Sequence, residues 1–226
     1  RLSPLLRDKE ATVFFGAGGS GKTSLALFAA LLVQSNTKGA GFVPDPGPVL
    51  FLDYEASADE VYHRLVALAG GLEIAVPHIY YRFCVQPLAD EVEEIQRTIF
   101  TEHIQLVVVD SLGMACGDEP EKAGPVLAFF RGLRALRATS LIVHHANRAG
   151  KLYGNVYVIN QARSLYEVKA SQETDSSLLH IGLHHRKVNS GQLQKPLGIK
   201  IDFADETHTL ITQADLHGIP DLSRDL

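Results

Sequence analysis

Short apolar runs alternate with segments of helical periodicity along the first two thirds of the chain. A short apolar run bounded by turn residues predicts a buried strand, and apolar residues three and four positions apart predict one face of a helix. The predicted strands cover residues 11–15, 49–55, 79–83, 105–110 and 140–144, and the predicted helices cover residues 22–34, 57–69, 90–102 and 126–136. Because strands and helices alternate, we expect βαβ units and a parallel sheet.

The pattern changes after His145. Stretches that contain Gly, Asn and Ser separate further predicted strands with no helix between them, at residues 164–170, 178–187, 197–203 and 208–212. We therefore expect an α/β fold in which a mostly parallel central sheet, flanked by helices, ends in antiparallel strands toward the C-terminus. Residues 37–48 are rich in Gly and Pro and are predicted to form a loop. With no internal repeat, residues 1–226 are predicted to form a single domain, with a core at about 10–205 and a C-terminal strand and tail at 206–226.

Composition excludes several classes of protein. The chain has 226 residues, of which 46 % are hydrophobic and 21 % are charged, and this excludes disordered, collagenous and low-complexity chains. Its longest apolar runs are far shorter than the roughly 20 residues of a membrane helix, and no signal segment opens it, so we expect a cytoplasmic protein with no membrane partner. Cys84 and Cys116 lack metal-like spacing. Because the chain begins at Arg1, we also expect a preceding segment.

Charge is distributed unevenly along the sequence. The formal net charge is −5, yet residues 141–200 contain eight Lys and Arg against three acids, together with five of the ten His. A basic segment in an acidic chain is typical of a local polyanion site. A solvated strand face has the same composition, and charge alone does not separate the two.

The sequence Gly-Ala-Gly-Gly-Ser-Gly-Lys-Thr at residues 16–23 fits the pattern G-x-x-x-x-G-K-[ST]. The glycines let consecutive backbone N–H groups surround a β-phosphate at a helix N-terminus, the Lys neutralises the β- and γ-phosphates, and the Thr hydroxyl binds Mg²⁺. A predicted strand precedes the motif and a predicted helix follows it, as this function requires. The sequence therefore predicts binding of ATP with Mg²⁺ through Gly16, Gly18, Gly19, Ser20, Gly21, Lys22 and Thr23.

Acidic residues end two of the predicted strands. Asp110 follows the most hydrophobic strand and is predicted to serve the Mg²⁺ site together with Thr23. Glu55 ends another strand on the same rim of a parallel sheet, where a carboxylate can orient or deprotonate an attacking water. Two alternatives stay open: Glu55 acts only as a cap of the following helix, or Asp53, two residues back from the rim, is the catalytic acid.

These segments together resemble the RecA-like ATPases, in particular the hexameric helicase branch and its RepA-type plasmid replicative helicases. Four segments carry the likeness, at residues 16–23, 49–55, 106–111 and 141–148, and it extends over residues 10–205. The resemblance implies a RecA-like ATPase domain, with Glu55 as the catalytic glutamate. It also implies a Gln or His that senses the γ-phosphate, and this position falls on His145, beside His144. A pair of core histidines or a chance metal site is the alternative for these two residues.

The family also supplies cationic fingers to the nucleotide of the neighbouring subunit from a Lys-x-Arg-x-Gly run. Here residues 186–191 read Arg-Lys-Val-Asn-Ser-Gly, so that Asn189 occupies the Arg position. Arg186 and Lys187 are the remaining candidates, and a finger contributed in trans can raise the rate by several orders of magnitude. An ordinary solvated hairpin is the alternative.

Rings of this family hold single-stranded DNA on mobile loops in a central channel. The corresponding loop, at residues 148–155, contains Arg148, Lys151 and Tyr153, a mixture suited to contacting phosphates and stacking on bases. A plain exposed loop has the same composition. We expect a hexameric DNA helicase or translocase in replication that acts with a loader or primase; the alternative within the family is a DNA-dependent ATPase in recombination or regulation that does not unwind.

Two functions of other classes are the alternatives to an ATPase motor. A P-loop small-molecule kinase usually carries an Arg-rich lid after the Mg²⁺ strand, whereas residues 112–124 contain no Arg and include Asp118, Glu119 and Glu121. A nucleotide-gated scaffold without turnover has no need of a glutamate at position 55. Both features favour an ATPase.

Overall fold

A nine-stranded sheet runs through the part of the chain that our computed structural model describes, which is residues 1–147, 149–217, 219 and 222. The strands are β1 (Leu2–Ser3), β2 (Ala11–Gly16), β3 (Val43–Pro44), β4 (Val49–Asp53), β5 (Tyr80–Phe83), β6 (Leu106–Asp110), β7 (Thr139–His145), β8 (Ser164–Gln172), β9 (Leu178–Val188), β10 (Leu197–Asp205) and β11 (His208–Gln213), of which β1 and β3 form a separate small sheet. The helices are α1 (Lys22–Ser35), α2 (Ala58–Gly71), α3 (Val92–Thr101), α4 (Leu112–Ala115), α5 (Ala123–Ala135) and α6 (Val156–Gln161).

The main sheet is parallel at one end and antiparallel at the other. Its strand order is β11-β10-β9-β8-β2-β7-β6-β4-β5. All pairs from β8 through β2, β7, β6 and β4 to β5 are parallel, whereas β8–β9, β9–β10 and β10–β11 are antiparallel. The predicted fold class is therefore confirmed.

The strands are apolar throughout because both faces of the sheet are covered. Along β2, Phe14 belongs to one hydrophobic cluster, while Val13 and Phe15 belong to the other. The same alternation continues along β6, where Val108 lies on the first side and Val107 on the second. Successive side chains of a strand point to opposite faces, so each central strand contributes to two cores. Helix α1 is buried almost all round, from Leu25 to Val33.

Helix α2 begins as its sequence predicts. The Ser57 hydroxyl accepts a hydrogen bond from the backbone N–H of Glu60, at 3.3 Å, and two acids lie in the first turn. A side-chain oxygen at this position satisfies one of the N–H groups that a helix leaves without a partner. The start of α2 fixes where the chain leaves the rim of the sheet after β4.

Three local predictions were wrong. The strand predicted for residues 49–55 ends at Asp53, because the Asp53 carboxylate accepts from the N–H groups of Glu55 and Ala56 and turns the chain. Helices α4 and α6 lie in segments that were predicted to contain none. The short strand β3 lies within the predicted loop at residues 37–48. These elements are too short for a periodic pattern to reveal them. No helix among the described residues has both the length and the apolar character needed to span a membrane.

Candidate nucleotide site

Four neighbouring parallel strands end at the same edge of the sheet. In the order β2, β7, β6 and β4, they lead into residues 16–23, His145, Asp110 and Glu55 respectively. Ligand chemistry in such sheets is concentrated at the carboxyl ends of the strands. The fold thus gathers the candidate residues from four separate segments of the chain.

The phosphate loop crosses from β2 to α1 through backbone conformations that favour glycine. Gly19 and Gly21 have φ values of 72° and 80°, in the left-handed region. At Gly21 a Cβ would also lie 2.8 Å from the Ile181 Cδ1. Glycine is the residue that adopts such turns without steric cost. The loop can therefore present its N–H groups to an anion while it packs against the antiparallel strands.

The Lys22 side chain lies folded over this loop. Lys22 is 5 % exposed, and its Nζ donates to the Ala17 carbonyl oxygen at 2.6 Å and to the Ser20 Oγ at 3.3 Å. Burial lowers the pKa of Lys22, while the carboxylates of Asp110 and Glu55 oppose that shift. A buried ammonium near the N-terminus of α1 is a site for a strongly negative ligand.

Asp110 and Thr23 form a second polar group beside the loop. Asp110 is 4 % exposed, and burial raises its pKa to about 6, although the Thr23 hydroxyl acts in the opposite direction. The Asp110 Oδ1 is buried without a hydrogen-bond partner among the described residues. A hard divalent cation prefers carboxylate and hydroxyl oxygens, so these two residues suit the Mg²⁺ of a bound nucleotide.

Glu55 is held by two neighbours at the rim. The Ser111 hydroxyl donates to Glu55 Oε1, and the His145 Nε2 lies 3.0 Å from the same oxygen. The hydrogen bond from His145, followed by that from Ser111, lowers the pKa of Glu55 against the opposing effect of burial. Glu55 lines the cavity over the phosphate loop as an ionised carboxylate in a defined orientation.

The other candidate acid, Asp53, has a different environment. It is 1 % exposed, and its carboxylate accepts from the N–H groups of Glu55 and Ala56 and from the Tyr81 hydroxyl, each at 2.9 Å. It does not line the cavity. Asp53 shapes the turn that carries Glu55 to the rim.

The two adjacent histidines also differ. His144 is fully buried, its Nε2 lies 2.7 Å from the Tyr153 carbonyl oxygen, and burial lowers its pKa to about 4. The His145 side chain is 42 % exposed and faces Glu55. No group of three or more potential metal ligands from His, Cys, Asp and Glu occurs among the described residues. His144 therefore secures the loop after β7, while His145 faces the cavity.

Comparison with known protein families gives one match. The AAA domain family AAA_25 matches residues 1–151, which include the phosphate loop, Glu55, Asp110 and His145. The chain belongs to the AAA_25 family. It is thus a P-loop ATPase domain, and nucleotide binding follows from that membership.

Solved structures agree on the fold of this AAA_25 domain. The crystal structure of the KaiC-like protein PH0186 from the hyperthermophilic archaeon Pyrococcus horikoshii OT3 is similar to it, with a TM-score of 0.63 and 14 % sequence identity. The match covers 91 % of this chain and 90 % of that protein. No curated protein matches the sequence. The fold is therefore RecA/KaiC-like.

A cavity of about 770 Å³ lies over the phosphate loop of the AAA_25 domain. It is large enough for a small-molecule ligand. Sequence reasoning missed several of its lining residues, which come from α2 and from the antiparallel strands: His63, Arg64, Gln172, Leu179, Phe203, Asp205 and Glu206. These residues fit the ordinary periodic pattern of their helix or strand, so no signal in the sequence marked them as lining a cavity.

The predicted fingers do not line this cavity. Lys187 of β9 pairs with Leu165 of β8, and Leu165 pairs with Val13 of β2. Val13 lies three residues, or about 10 Å, before the end of β2, where the phosphate loop begins. The Lys187 Nζ donates to the Ala162 carbonyl oxygen. Arg186 binds Glu167, with its Nε 2.7 Å from the carboxylate oxygen. Neither cation is placed at the phosphate loop of its own chain.

The loop after β7 is built around Asn147. The Asn147 Oδ1 accepts from the N–H groups of Ala149 and Lys151, both at 3.0 Å. Lys151 is exposed, while the Tyr153 hydroxyl is hydrogen-bonded to Glu121. Arg148 lies outside the described residues. This loop and the segment after β6 border a second cavity of about 520 Å³ that also reaches Glu55 and His145.

Proposed function

We propose that this AAA_25 domain hydrolyses ATP as a motor on single-stranded DNA in a ring of identical subunits, in the manner of the RepA-type helicases that its sequence resembles. The observation that carries the proposal is the contact between Glu55 and His145, at 3.0 Å. Glu55 faces the phosphate loop, and His145 ends the strand that leads into the candidate DNA loop. One hydrogen bond thus connects the candidate catalytic residue to the strand that leads into the candidate DNA loop.

Hydrolysis requires a bound triphosphate, a positioned water and a base. Lys22 and the N–H groups of the loop bind the β- and γ-phosphates. Thr23 and Asp110 would hold Mg²⁺, which neutralises negative charge on the phosphates. Glu55 orients the attacking water and accepts its proton.

The contact between Glu55 and His145 would also couple the state of the nucleotide to the candidate DNA loop. A γ-phosphate offers His145 an anionic partner that competes with Glu55, so that His145 responds to the state of the nucleotide. The backbone of this strand continues directly into the loop, where the Tyr153 N–H donates to the His145 carbonyl oxygen at 3.1 Å. Displacement of His145 therefore moves the segment that carries Lys151 and Tyr153.

The position of Arg186 and Lys187 supports a multisubunit enzyme. Neither lines the cavity of its own chain, so any contact that either makes with a nucleotide would have to be made in another subunit. Insertion of either side chain into the nucleotide site of a neighbouring subunit would complete that site in trans. There the cation would stabilise the negative charge of the transition state.

The first test is ATPase activity with and without single-stranded DNA, on fractions whose mass is measured by light scattering. We expect DNA to stimulate the rate of an oligomeric fraction. Lys22→Ala should lose nucleotide binding, while Glu55→Gln should keep binding and lose hydrolysis. A monomer whose rate ignores DNA would contradict the motor, and normal turnover in Glu55→Gln would remove its assigned role. Separation of a forked duplex would then distinguish a helicase from a translocase.

The second test examines catalysis across the subunit interface. Arg186→Ala or Lys187→Ala protein is mixed with an equal amount of Glu55→Gln protein. If either cation acts in trans, mixed interfaces pair an intact Glu55 with an intact finger, and part of the activity returns. Lys195→Ala, at an exposed lysine, is the matched control and should keep full activity. Full activity in both finger variants, or no recovery on mixing, would contradict the trans site.

A further inference from the structure

The cavity over the phosphate loop is lined by two chemically different sets of groups. Lys22 and the N–H groups of the loop bind anions. Leu68, Leu179 and Phe203 supply an apolar wall, within which Leu179 packs against Gly21 of the loop. A triphosphate alone uses only the first set. The apolar wall is suited to a flat apolar group, such as a nucleobase.

The β10–β11 hairpin, which carries Phe203, is held in place against α2. A Cβ at Gly70 would lie 2.1 Å from the Thr207 carbonyl oxygen, and a Cβ at Gly71 would lie 2.1 Å from the Thr209 carbonyl oxygen. The two glycines therefore allow the hairpin backbone to contact the helix directly. On the other side, the Phe203 N–H donates to the Ser177 carbonyl oxygen at 3.0 Å. The hairpin is a fixed wall of the cavity.

Phe203 is 39 % exposed even though the sheet beside it is well packed. The residue lies on the wall that faces the phosphate loop, so its exposed surface is available to a ligand in the cavity. Aromatic side chains bind nucleobases by stacking, whichever base is present.

The charge at the tip of the hairpin affects which part of a bound nucleotide can lie there. Asp205 and Glu206 follow Phe203 at the tip and also line the cavity. The Asp205 carboxylate accepts from the N–H and hydroxyl of Thr207, both at 2.7 Å, and these bonds hold it in the ionised form. Two carboxylates repel phosphates, whereas Lys22 and the phosphate loop attract them. This distribution of charge favours a ligand whose nucleoside lies at the hairpin.

We propose that the β10–β11 hairpin forms the nucleoside subsite of the enzyme, with the base of the bound nucleoside triphosphate packed on the ring of Phe203. The inference rests on the proposed function, because it requires the triphosphate to occupy the loop at residues 16–23. It assigns a role to a segment that lies outside the residues matched by the AAA_25 family.

The test compares ATP with inorganic tripolyphosphate, which has the triphosphate but no nucleoside. The Kd of each is measured by isothermal titration calorimetry in the presence of Mg²⁺. Phe203→Ala should raise the Kd for ATP about tenfold to a hundredfold, in line with the loss of one base stack, and leave the Kd for tripolyphosphate unchanged. Phe203→Tyr keeps the ring and should bind ATP like the wild type. Phe100→Ala is the matched control, because Phe100 is 83 % exposed on α3 and does not line the cavity.

The outcomes separate this inference from the function on which it rests. Equal affinity of the wild type for ATP and tripolyphosphate would overturn the nucleoside subsite. So would an unchanged Kd for ATP in Phe203→Ala, or an equal loss of both ligands in that variant. Binding of ATP and tripolyphosphate that survives in Lys22→Ala would instead contradict the phosphate loop of the proposed function.

Discussion

The buried carboxyl group of Asp110 carries a free-energy cost that is measurable without nucleotide. Burial raises its pKa from 3.8 to about 6. One pKa unit corresponds to about 1.4 kcal/mol, so the ionised carboxylate destabilises the folded protein by roughly 3 kcal/mol. Because the unfolded chain loses this proton at lower pH than the folded chain, the cost is absent below pH 3.8, grows as the pH rises to about 6 and is constant above that.

Asp110→Asn removes this titration while it preserves the shape of the side chain. We expect the free energy of unfolding of the nucleotide-free variant to exceed that of the wild type by up to roughly 3 kcal/mol at pH 7.5, and by only about 1 kcal/mol near pH 4.5. Urea unfolding followed by circular dichroism measures both values. With Mg²⁺ and ATP the order should reverse, because the variant lacks the carboxylate. A gain in stability that does not depend on pH, or a wild type that is more stable than the variant at pH 7.5, would show that the ionised Asp110 carboxylate does not destabilise the fold.

Asp53→Asn is the matched control at the same rim. The Asp53 carboxylate is buried but accepts three hydrogen bonds, whereas the Asp110 Oδ1 is without a partner among the described residues. Hydrogen bonds to a charged acceptor are stronger than those to an amide. We therefore expect the substitution at Asp53 to destabilise the protein by about 1–3 kcal/mol, the opposite sign to Asp110→Asn.

Three further predictions concern the helix after β4 and the site. Ser57→Ala removes the cap of α2 and should lower the free energy of unfolding by about 1 kcal/mol in urea; an unchanged midpoint would show that the cap is redundant. Gly71→Ala, which would usually stabilise a helix, should instead cost about 1–3 kcal/mol, because the new Cβ meets the Thr209 carbonyl oxygen at 2.1 Å; a more stable variant would contradict the close packing. Mg²⁺-dependent ATP binding, followed by calorimetry, should weaken as the pH falls through about 6, where Asp110 becomes protonated; a constant Kd between pH 5 and pH 8 would show that Asp110 does not hold the cation.

Much of the site could be predicted because its residues occur in local patterns. The phosphate loop is one uninterrupted motif, and Glu55 and Asp110 follow apolar strands whose ends must meet at one edge of a parallel sheet. The distinction between Glu55 and Asp53 could not be drawn in this way. Both are acids at the end of the same strand, and only the turn shows that the Asp53 carboxylate accepts the N–H groups of Glu55 and Ala56.

The position of Phe203 in the cavity could not be predicted from the sequence, for a related reason. Phe203 lies in an ordinary strand pattern, and its position over residues 16–23 depends on the antiparallel order of β8 to β11 and on the contact of Gly70 and Gly71 with the hairpin. That order arises from pairing between segments far apart in the chain. No periodicity within either segment encodes it.

Hydrophobic periodicity and one short motif were enough to predict the α/β fold class, the phosphate loop and the acids that follow the strands. The three-dimensional arrangement was needed to show which acid faces the cavity, that His145 lies within hydrogen-bond distance of Glu55, and where Phe203, Arg186 and Lys187 lie. Those features depend on hydrogen bonds and strand register between distant segments, which arise only when the sheet is assembled.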